Sequence, residues 1–229
     1  MSKGFWIGAI VLAAVVLWGV GYVVNAPSGD TEFQKMMEAT EQVKSFRGMF
    51  VGTTPSTQHS ERLWEVDCNR RIVHKQSQEL PIGANPVETK EDVVLVGSDQ
   101  KYTHNSDGSW EPGKYESTLY SASWYCDNLA QGTIRDLLPD FRAMLRSATF
   151  ARGDKKTVNG VRCRDWNFTM HSRNSGQKGT VCIGTADHLP YEMTVDNGDH
   201  YSYSDYNRPM QFDVPDAVLQ PASSTGAPN

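Results

Sequence analysis

The sequence lacks the short motifs by which many enzymes are recognised. It contains no glycine-rich phosphate loop, no His-Glu-x-x-His motif, no Gly-x-Ser-x-Gly motif and no dinucleotide-binding glycine pattern. Each of these motifs positions a phosphate, a metal ion or a nucleophile. Their absence removes the common signatures of nucleotide-dependent enzymes, zinc proteases and serine hydrolases. We therefore predict a non-enzymatic protein without a cofactor or a metal ion.

Positive charge is also scarce. The chain has 22 Lys and Arg against 27 Asp and Glu, which gives a formal net charge of -5. Nucleic-acid binding needs a basic surface, so nucleic acid is not an expected partner. The tight basic cluster of Arg152, Lys155 and Lys156 is interpreted as a solvated turn. The histidines are dispersed along the chain and are predicted to lie on the surface: His59, His74, His104, His171, His188 and His200.

One long stretch near the N-terminus carries no charge at all. Phe5 to Val24 is a run of 20 uncharged residues, and a helix of about 20 apolar residues spans a membrane. Lys3 precedes the run and favours a cytoplasmic position for residues 1–4. We expect a single-pass anchor in the inner membrane, a linker at 25–29 and a C-terminal domain in the periplasm. The alternative is a signal peptide cleaved after Ala26, which would release the domain into the periplasm.

Cysteine is missing from this N-terminal segment, which excludes a lipid-modified N-terminus. The chain has four cysteines, none in a Cys-x-x-Cys or Cys/His pattern of zinc spacing. Outside the cytoplasm, two disulfides are the natural interpretation. Alternation along a predicted hairpin puts Cys163 and Cys182 on the same polar face, side by side in an antiparallel register. That pairing leaves Cys68 for Cys126.

Residue spacing predicts an exported domain over residues 30–219 with little helix. Apolar residues at helical spacing predict one amphipathic helix at 30–43. Two short helices are expected between Asp127 and Ala148, and a disordered tail at 220–229. Loops are predicted at 80–90 and 105–123. Alternating runs predict antiparallel strands, at residues 45–53, 62–68, 71–77, 92–97 and 101–104, then 162–170, 179–184, 190–196 and 200–206.

Several aromatic residues lie in or beside these strands. Most are expected to fill the core, but a curved sheet that is only partly plugged by short helices would leave an apolar cavity. Such a cavity suits acyl chains. The candidates for its lining are Trp64, Trp166, Phe168 and Tyr191. The sequence leaves open which of them line a cavity and which fill the core.

The layout over about residues 30–218 resembles the LolA/LolB-like lipoprotein-carrier superfamily, which includes mycobacterial lipid-binding lipoproteins. The local patterns that carry the resemblance are Val43-Lys44-Ser45-Phe46-Arg47-Gly48-Met49-Phe50, Asp92-Val93-Val94-Leu95-Val96-Gly97, His188-Leu189-Pro190-Tyr191 and Phe212-Asp213-Val214-Pro215. The resemblance implies an α+β fold in which a strongly curved antiparallel β-sheet, an incomplete barrel, wraps around a few short helices. It also implies Arg71 as a candidate, near the position of an arginine that governs lipoprotein release in the carriers.

Two functions are compatible with these features. The first is a membrane-anchored domain that binds a lipid or another apolar ligand, and it predicts a continuous cavity. The second is an accessory or structural subunit that uses the domain as a binding surface for other inner-membrane proteins. This second function predicts a filled core and contacts outside it.

Overall fold

The computed structural model describes residues 29–54, 56–114, 121–130, 148–171 and 176–219. The predicted membrane segment, most of the linker, the stretch 131–147 and the tail 220–229 lie outside the described residues. Within the described part, no helix is both long and apolar enough to cross a membrane. The helices are α1 (Gly29–Glu41), α2 (Ala122–Ala130) and α3 (Asp216–Leu219). The strands are β1 (Ser45–Thr54), β2 (Thr57–Asp67), β3 (Ile72–Pro81), β4 (Thr89–Val96), β5 (Gln100–His104), β6 (Trp110–Lys114), β7 (Ala148–Val158), β8 (Val161–Met170), β9 (Lys178–Gly184), β10 (Pro190–Val195) and β11 (His200–Ser204).

All eleven strands belong to one sheet in the order β6-β5-β4-β3-β2-β1-β11-β10-β9-β8-β7. Every pairing in it is antiparallel. Strands β1 to β6 form one meander and β7 to β11 form a second, and the pairing of β1 with β11 joins them. In the described residues β6 and β7 are edge strands, so the sheet is open. This arrangement agrees with the predicted α+β fold and with an incomplete barrel.

The main core lies on the face of the sheet that α1 and α2 cover, which we call the inner face. Side chains alternate between faces along a strand, so every second residue of each strand points into this core. Phe33 of α1 is fully buried there and its ring lies 3.9 Å from that of Phe150 in β7, centroid to centroid. The buried core also includes Met36, Val43, Phe46, Phe50, Trp64, Val66, Val73, Val93, Leu95, Tyr125, Trp166, Phe168, Val181, Ile183, Leu189, Tyr191, Met193 and Tyr203.

Both predicted disulfides are confirmed. Cys68, in the turn after β2, pairs with Cys126 of α2 at a Cα–Cα distance of 5.3 Å. Cys163 of β8 pairs with Cys182 of β9 at 5.6 Å. The predicted register was wrong, because Cys163 lies opposite Gly184 while Cys182 lies opposite Asp165. The second disulfide is therefore a diagonal link between neighbouring strands.

Three other predictions need correction. The basic cluster around Lys155 was predicted to be a turn but belongs to β7, an edge strand with an irregular register between Arg152 and Lys155. Charged residues and bulges are typical of exposed edge strands. Strand β6 lies within residues 105–123, which were predicted to be a loop. Pro112 does not prevent a strand there, because an edge strand tolerates proline. Helix α2 begins at Ala122 rather than after Asp127.

Candidate functional site

Four of the predicted ligand-lining residues lie together, but as a packed core. Trp64, Trp166, Phe168 and Tyr191 belong to one buried cluster on the inner face, and none is more than 7% exposed. The Tyr191 hydroxyl donates a hydrogen bond of 2.5 Å to Asp187 Oδ2. Burial and this carboxylate raise the pKa of Tyr191. Whether any of the four contacts a ligand stays a prediction.

Arg71 lies apart from these aromatic residues. It occupies the turn between β2 and β3 with a positive φ of 54°. Its exposed guanidinium donates to Ser123 Oγ at 2.9 Å and lies 4.0 Å from Asp127. The structure therefore places Arg71 beside α2, and its proposed role in ligand release stays a prediction.

The other face of the sheet, the outer face, carries a row of side chains that sequence reasoning missed. The register aligns Met49, Leu63, Gln76, Asp92 and His104 on neighbouring strands from β1 to β5. Residues directly opposite one another share a face, so this row runs straight across five strands. We call it the groove row.

The groove row lies in an open groove of about 600 Å³. Met49 is 43% exposed and lies opposite Leu63, so the two form the apolar part of the groove. The other lining residues are polar, with amides, hydroxyls and charges of both signs: Glu61, Arg62, Gln76, Ser77, Gln78, Lys90, Glu91, Asp92, His104, Asn105 and Ser106. The loop between β3 and β4, which does not line the groove, carries two exposed apolar side chains. These are Ile82 and Val87, which are 61% and 74% exposed.

Next to the groove row runs an alternating series of charged groups that we call the charge ladder. Its members come from adjacent strands or their ends, in the spatial order Asp205, Arg47, Glu65, His74, Asp92 and His104. At its centre, His74 Nδ1 lies 2.9 Å from Glu65 Oε2 and its Nε2 lies 2.7 Å from Asp92 Oδ1. The His74 side chain is 2% exposed. The sequence-based prediction that this histidine lies on the surface was wrong.

The geometry at His74 favours the charged form of its ring. Both ring nitrogens face carboxylate oxygens, and two donors are present only in the protonated imidazolium. Burial disfavours the charged ring, but the hydrogen bonds to Glu65 and Asp92 outweigh burial and raise the pKa of His74 above 6.5. Burial likewise opposes ionisation of Glu65, and hydrogen bonds from His74 and Arg47 outweigh it and lower the pKa of Glu65.

The two ends of the ladder are more accessible. Arg47 donates to Glu65 Oε1 through Nε at 2.9 Å, and its Nη1 lies 3.3 Å from Asp205. At the other end, His104 Nδ1 lies 3.1 Å from Asp92 Oδ2. Asp92 therefore belongs to both the ladder and the groove row, and it connects the buried His74 with the groove.

The C-terminal segment, residues 205–219, covers the centre of the ladder. The rings of Phe212 and Trp110 each lie 6.4 Å from the His74 ring, edge-on to it. Arg70 lies over the Phe212 ring at 5.0 Å and donates to the Met210 carbonyl. Val218 of α3 completes a small second core with Ile72, Val94 and Val96. The ladder is thus buried by a segment that returns across the outer face, while the groove row is left open.

A second group of charges lies on the outer face of the other meander, near the Cys163–Cys182 disulfide. Lys156 Nζ lies 2.6 Å from Glu192 and 3.1 Å from Asp165, and His200 Nε2 lies 3.0 Å from Glu192. Hydrogen bonds from His200 and Lys156 lower the pKa of Glu192. We call this group the lysine cluster. Within the described part of the chain, no cluster of His, Cys, Asp and Glu has the arrangement of a metal site.

No family model and no curated protein matches the sequence. Among solved structures, MucB is 17% identical, with a TM-score of 0.41 and a match over 83% of this chain and 62% of that one. A chain of the MucA/MucB complex of Pseudomonas aeruginosa is 14% identical, with a TM-score of 0.39 and a match over 84% of this chain and 60% of that one. A LolA superfamily protein of Nitrosomonas europaea is 11% identical, with a TM-score of 0.27 and a match over 86% of this chain and 99% of that one.

The chain spans about three fifths of the length of the MucB chains it matches. With TM-scores of 0.41 and below, the similarities carry no argument about ligand or partner. The chain is similar to proteins of the LolA superfamily.

Proposed function

We propose that the chain is a non-enzymatic binding domain that holds an extended segment of a polypeptide partner in the outer-face groove. The observation that carries this proposal is a contrast between the two faces. The aromatic side chains expected to line a lipid cavity belong to a buried cluster on the inner face, whereas the groove on the outer face is open. A filled core with contacts outside it is what the accessory-subunit hypothesis predicts.

The lining of the groove favours a polypeptide over an acyl chain. The side-chain amides of Gln76, Gln78 and Asn105 each donate one N–H within the protein, to Asp92, Glu88 and Ser109. Each amide has a second N–H and a carbonyl oxygen, which match the groups of an extended peptide backbone. Met49 and Leu63 provide one apolar contact for a side chain of the partner. An acyl chain in the same groove would cover these amides without giving them a hydrogen-bond partner, and each buried polar group left without a partner costs free energy.

The compartment belongs to the same proposal. Two disulfides suit an oxidising environment outside the cytoplasm. The uncharged run from Phe5 to Val24 suits an anchor that keeps the domain at the periplasmic side of the inner membrane. The partner would then be another membrane or periplasmic protein, and the domain would serve as its accessory subunit.

Lipid binding remains the second candidate, and one observation favours it. Tyr191 borders a cavity of about 390 Å³ together with Leu189 and Tyr206. The cavities at Phe168 and Trp64, of about 410 Å³ and 210 Å³, are lined mainly by polar residues. Among the candidates, Tyr191 therefore offers an apolar ligand its best contacts.

Native mass spectrometry of the full chain in mild detergent separates the two candidates. We expect a stoichiometric polypeptide partner that is lost in the Met49→Glu variant and retained in the Met49→Leu variant, because the charge disturbs the apolar contact. Organic extraction of the same sample tests for lipid. A stoichiometric lipid, with no polypeptide whose binding depends on Met49, would overturn the proposal in favour of the second candidate.

A further inference from the structure

The charge ladder has a feature that packing alone does not require. Its central histidine makes two hydrogen bonds to two different carboxylates, and one of these carboxylates, Asp92, also lines the groove. The proton on His74 therefore determines whether both carboxylates are held. We propose that His74 is a proton-operated latch that fixes one wall of the groove through Asp92 and His104.

The consequence of losing the proton follows from hydrogen-bond counting. A neutral imidazole has a single N–H, so it can donate to Glu65 or to Asp92 but not to both. Glu65 keeps Arg47 as a second partner, and its side chain is only 7% exposed. The Asp92 side chain is 25% exposed and can turn toward water. Asp92 also contacts His104 and Gln76, but unlike Glu65 it can replace the lost hydrogen bond with one to water. Asp92 is therefore the carboxylate that is released.

Release of Asp92 acts on the loop between β5 and β6. His104, the last residue of β5, is held to β4 through its Nδ1 contact with Asp92 Oδ2. The His104 ring stacks on Trp110 at 4.6 Å, centroid to centroid. Between these two residues lies the loop that forms the groove wall with Asn105, Ser106 and Gly108. Loss of the Asp92 contact therefore removes the side-chain contact that holds the start of this loop to β4.

The groups that face His74 come from every element packed against it. Glu65 of β2 and Asp92 of β4 face its two nitrogens, and both favour the proton. Trp110 of β6 and Phe212 of the C-terminal segment face the ring without charge. More distant charges act through these groups: Arg47 through Glu65, His104 through Asp92 and Arg70 over the Phe212 ring.

The direction of the pH response is determined by the raised pKa of His74. Protonation contributes its full stabilisation below the unfolded-state value of 6.5, and this contribution is lost as the pH rises through the folded-state value. The latch is closed at lower pH and opens as the pH increases. If the groove holds the proposed partner, partner binding weakens with the same pH dependence, and this consequence alone rests on the proposed function.

Hydrogen exchange of the full chain in detergent tests the latch without any partner. After correction for the intrinsic pH dependence of exchange, we expect the amides of residues 104–109 to lose protection by up to about tenfold per pH unit above the folded-state pKa of His74. The His74→Gln variant should show low protection in this loop at every pH. The His59→Gln variant is the matched control and should behave as wild type, since the exposed Glu61 is the one ionic partner of His59 among the described residues.

The titration of the wild-type protein keeps the test decisive even if His74→Gln does not fold. The NMR signals of the His74 ring monitor its titration. If the protection of residues 104–109 stays constant over the pH range in which His74 titrates, the latch is overturned. A pH-dependent loop together with a partner that remains bound independently of Met49 would support the latch and contradict the proposed binding site. The two proposals therefore fail separately.

Discussion

The charge ladder and the lysine cluster are two versions of the same arrangement in the two meanders of one sheet. Both place carboxylates, a histidine and a cationic side chain on neighbouring strands of the outer face. In the ladder, Glu65 and His74 are 7% and 2% exposed, whereas Lys156 and His200 of the lysine cluster are 38% and 37% exposed. The difference arises because the C-terminal segment returns over one meander only.

This comparison shows that the covering segment, rather than the residue types, determines what a charge contributes. An exposed ion pair is screened by water and is worth little. A buried pair contributes little net stability as a whole, yet the loss of one partner leaves the other charge unpaired in a poorly solvated site. The ladder should therefore be sensitive to single substitutions, and the lysine cluster should tolerate them.

The largest expected effect is at the centre of the ladder. His74→Ala leaves Glu65 and Asp92 facing each other without the intervening imidazolium, and we expect the free energy of unfolding to fall by about 3–5 kcal/mol. The matched variant His200→Ala in the lysine cluster should cost less than about 1 kcal/mol. Urea denaturation of both variants measures the difference. Equal losses would contradict the distinction between buried and exposed clusters.

The next largest effect is expected for the disulfide of the second meander, which we expect to stabilise this meander more than its charged side chains do. The Cys163–Cys182 disulfide lies near the lysine cluster and links residues 19 apart in sequence. Replacing both cysteines with alanine should lower the free energy of unfolding by about 3 kcal/mol, because the unfolded chain gains freedom. Denaturation under oxidising conditions measures this value. A loss smaller than that of Lys156→Met would show that the charges, not the disulfide, stabilise this meander.

A smaller effect is expected for the segment that covers the ladder. Phe212→Ala removes a half-buried ring from above His74, and we expect a loss of about 2 kcal/mol, below the range for a fully buried phenylalanine. Phe212→Leu is the control, since it keeps most of the apolar cover. Hydrogen exchange of residues 205–219 should increase in the alanine variant only. An unchanged exchange pattern would mean that the ladder is covered by other contacts.

The smallest effect is expected for Lys156→Met. This change removes the cation between Glu192 and Asp165 but keeps the length of the side chain. The two carboxylate side chains are 26% and 22% exposed, so water solvates them in part, although Oδ1 of Asp165 itself is buried. We expect less than about 1 kcal/mol, with a further decrease at high salt. Thermal unfolding at two ionic strengths measures this. A loss comparable to that of His74→Ala would show that the cluster behaves as a buried network.

Sequence patterns predicted those parts of the fold that depend on local alternation. Strands β1, β8 and β9, helix α1 and both disulfide pairs were predicted, since each follows from residues close in sequence or from the small number of cysteines. Strand β7 was missed because its run of charged residues, typical of an exposed edge, hides the alternation. Strand β6 was missed because proline and glycine are also turn residues.

The functional surface could not be predicted in the same way. Burial of His74 depends on Phe212, more than a hundred residues later in the sequence, which returns across the outer face. One local signal was present: Val93 to Val96 are four consecutive apolar residues, which indicates a strand covered on both faces. Combined with the apolar residues Phe212, Val214 and Val218, this signal could have placed a second core on the outer face.

The protonation state of His74 tests the central claim most directly, namely that the outer face is organised around a buried, charged histidine. Long-range proton–nitrogen NMR of the imidazole ring distinguishes the imidazolium from each neutral tautomer. We predict that both ring nitrogens still carry a proton in most molecules at pH 6.5, where an unperturbed imidazole is half deprotonated, because Glu65 and Asp92 raise the pKa of His74. A neutral ring with one unprotonated nitrogen under the same conditions would contradict the ladder and the latch that depends on it.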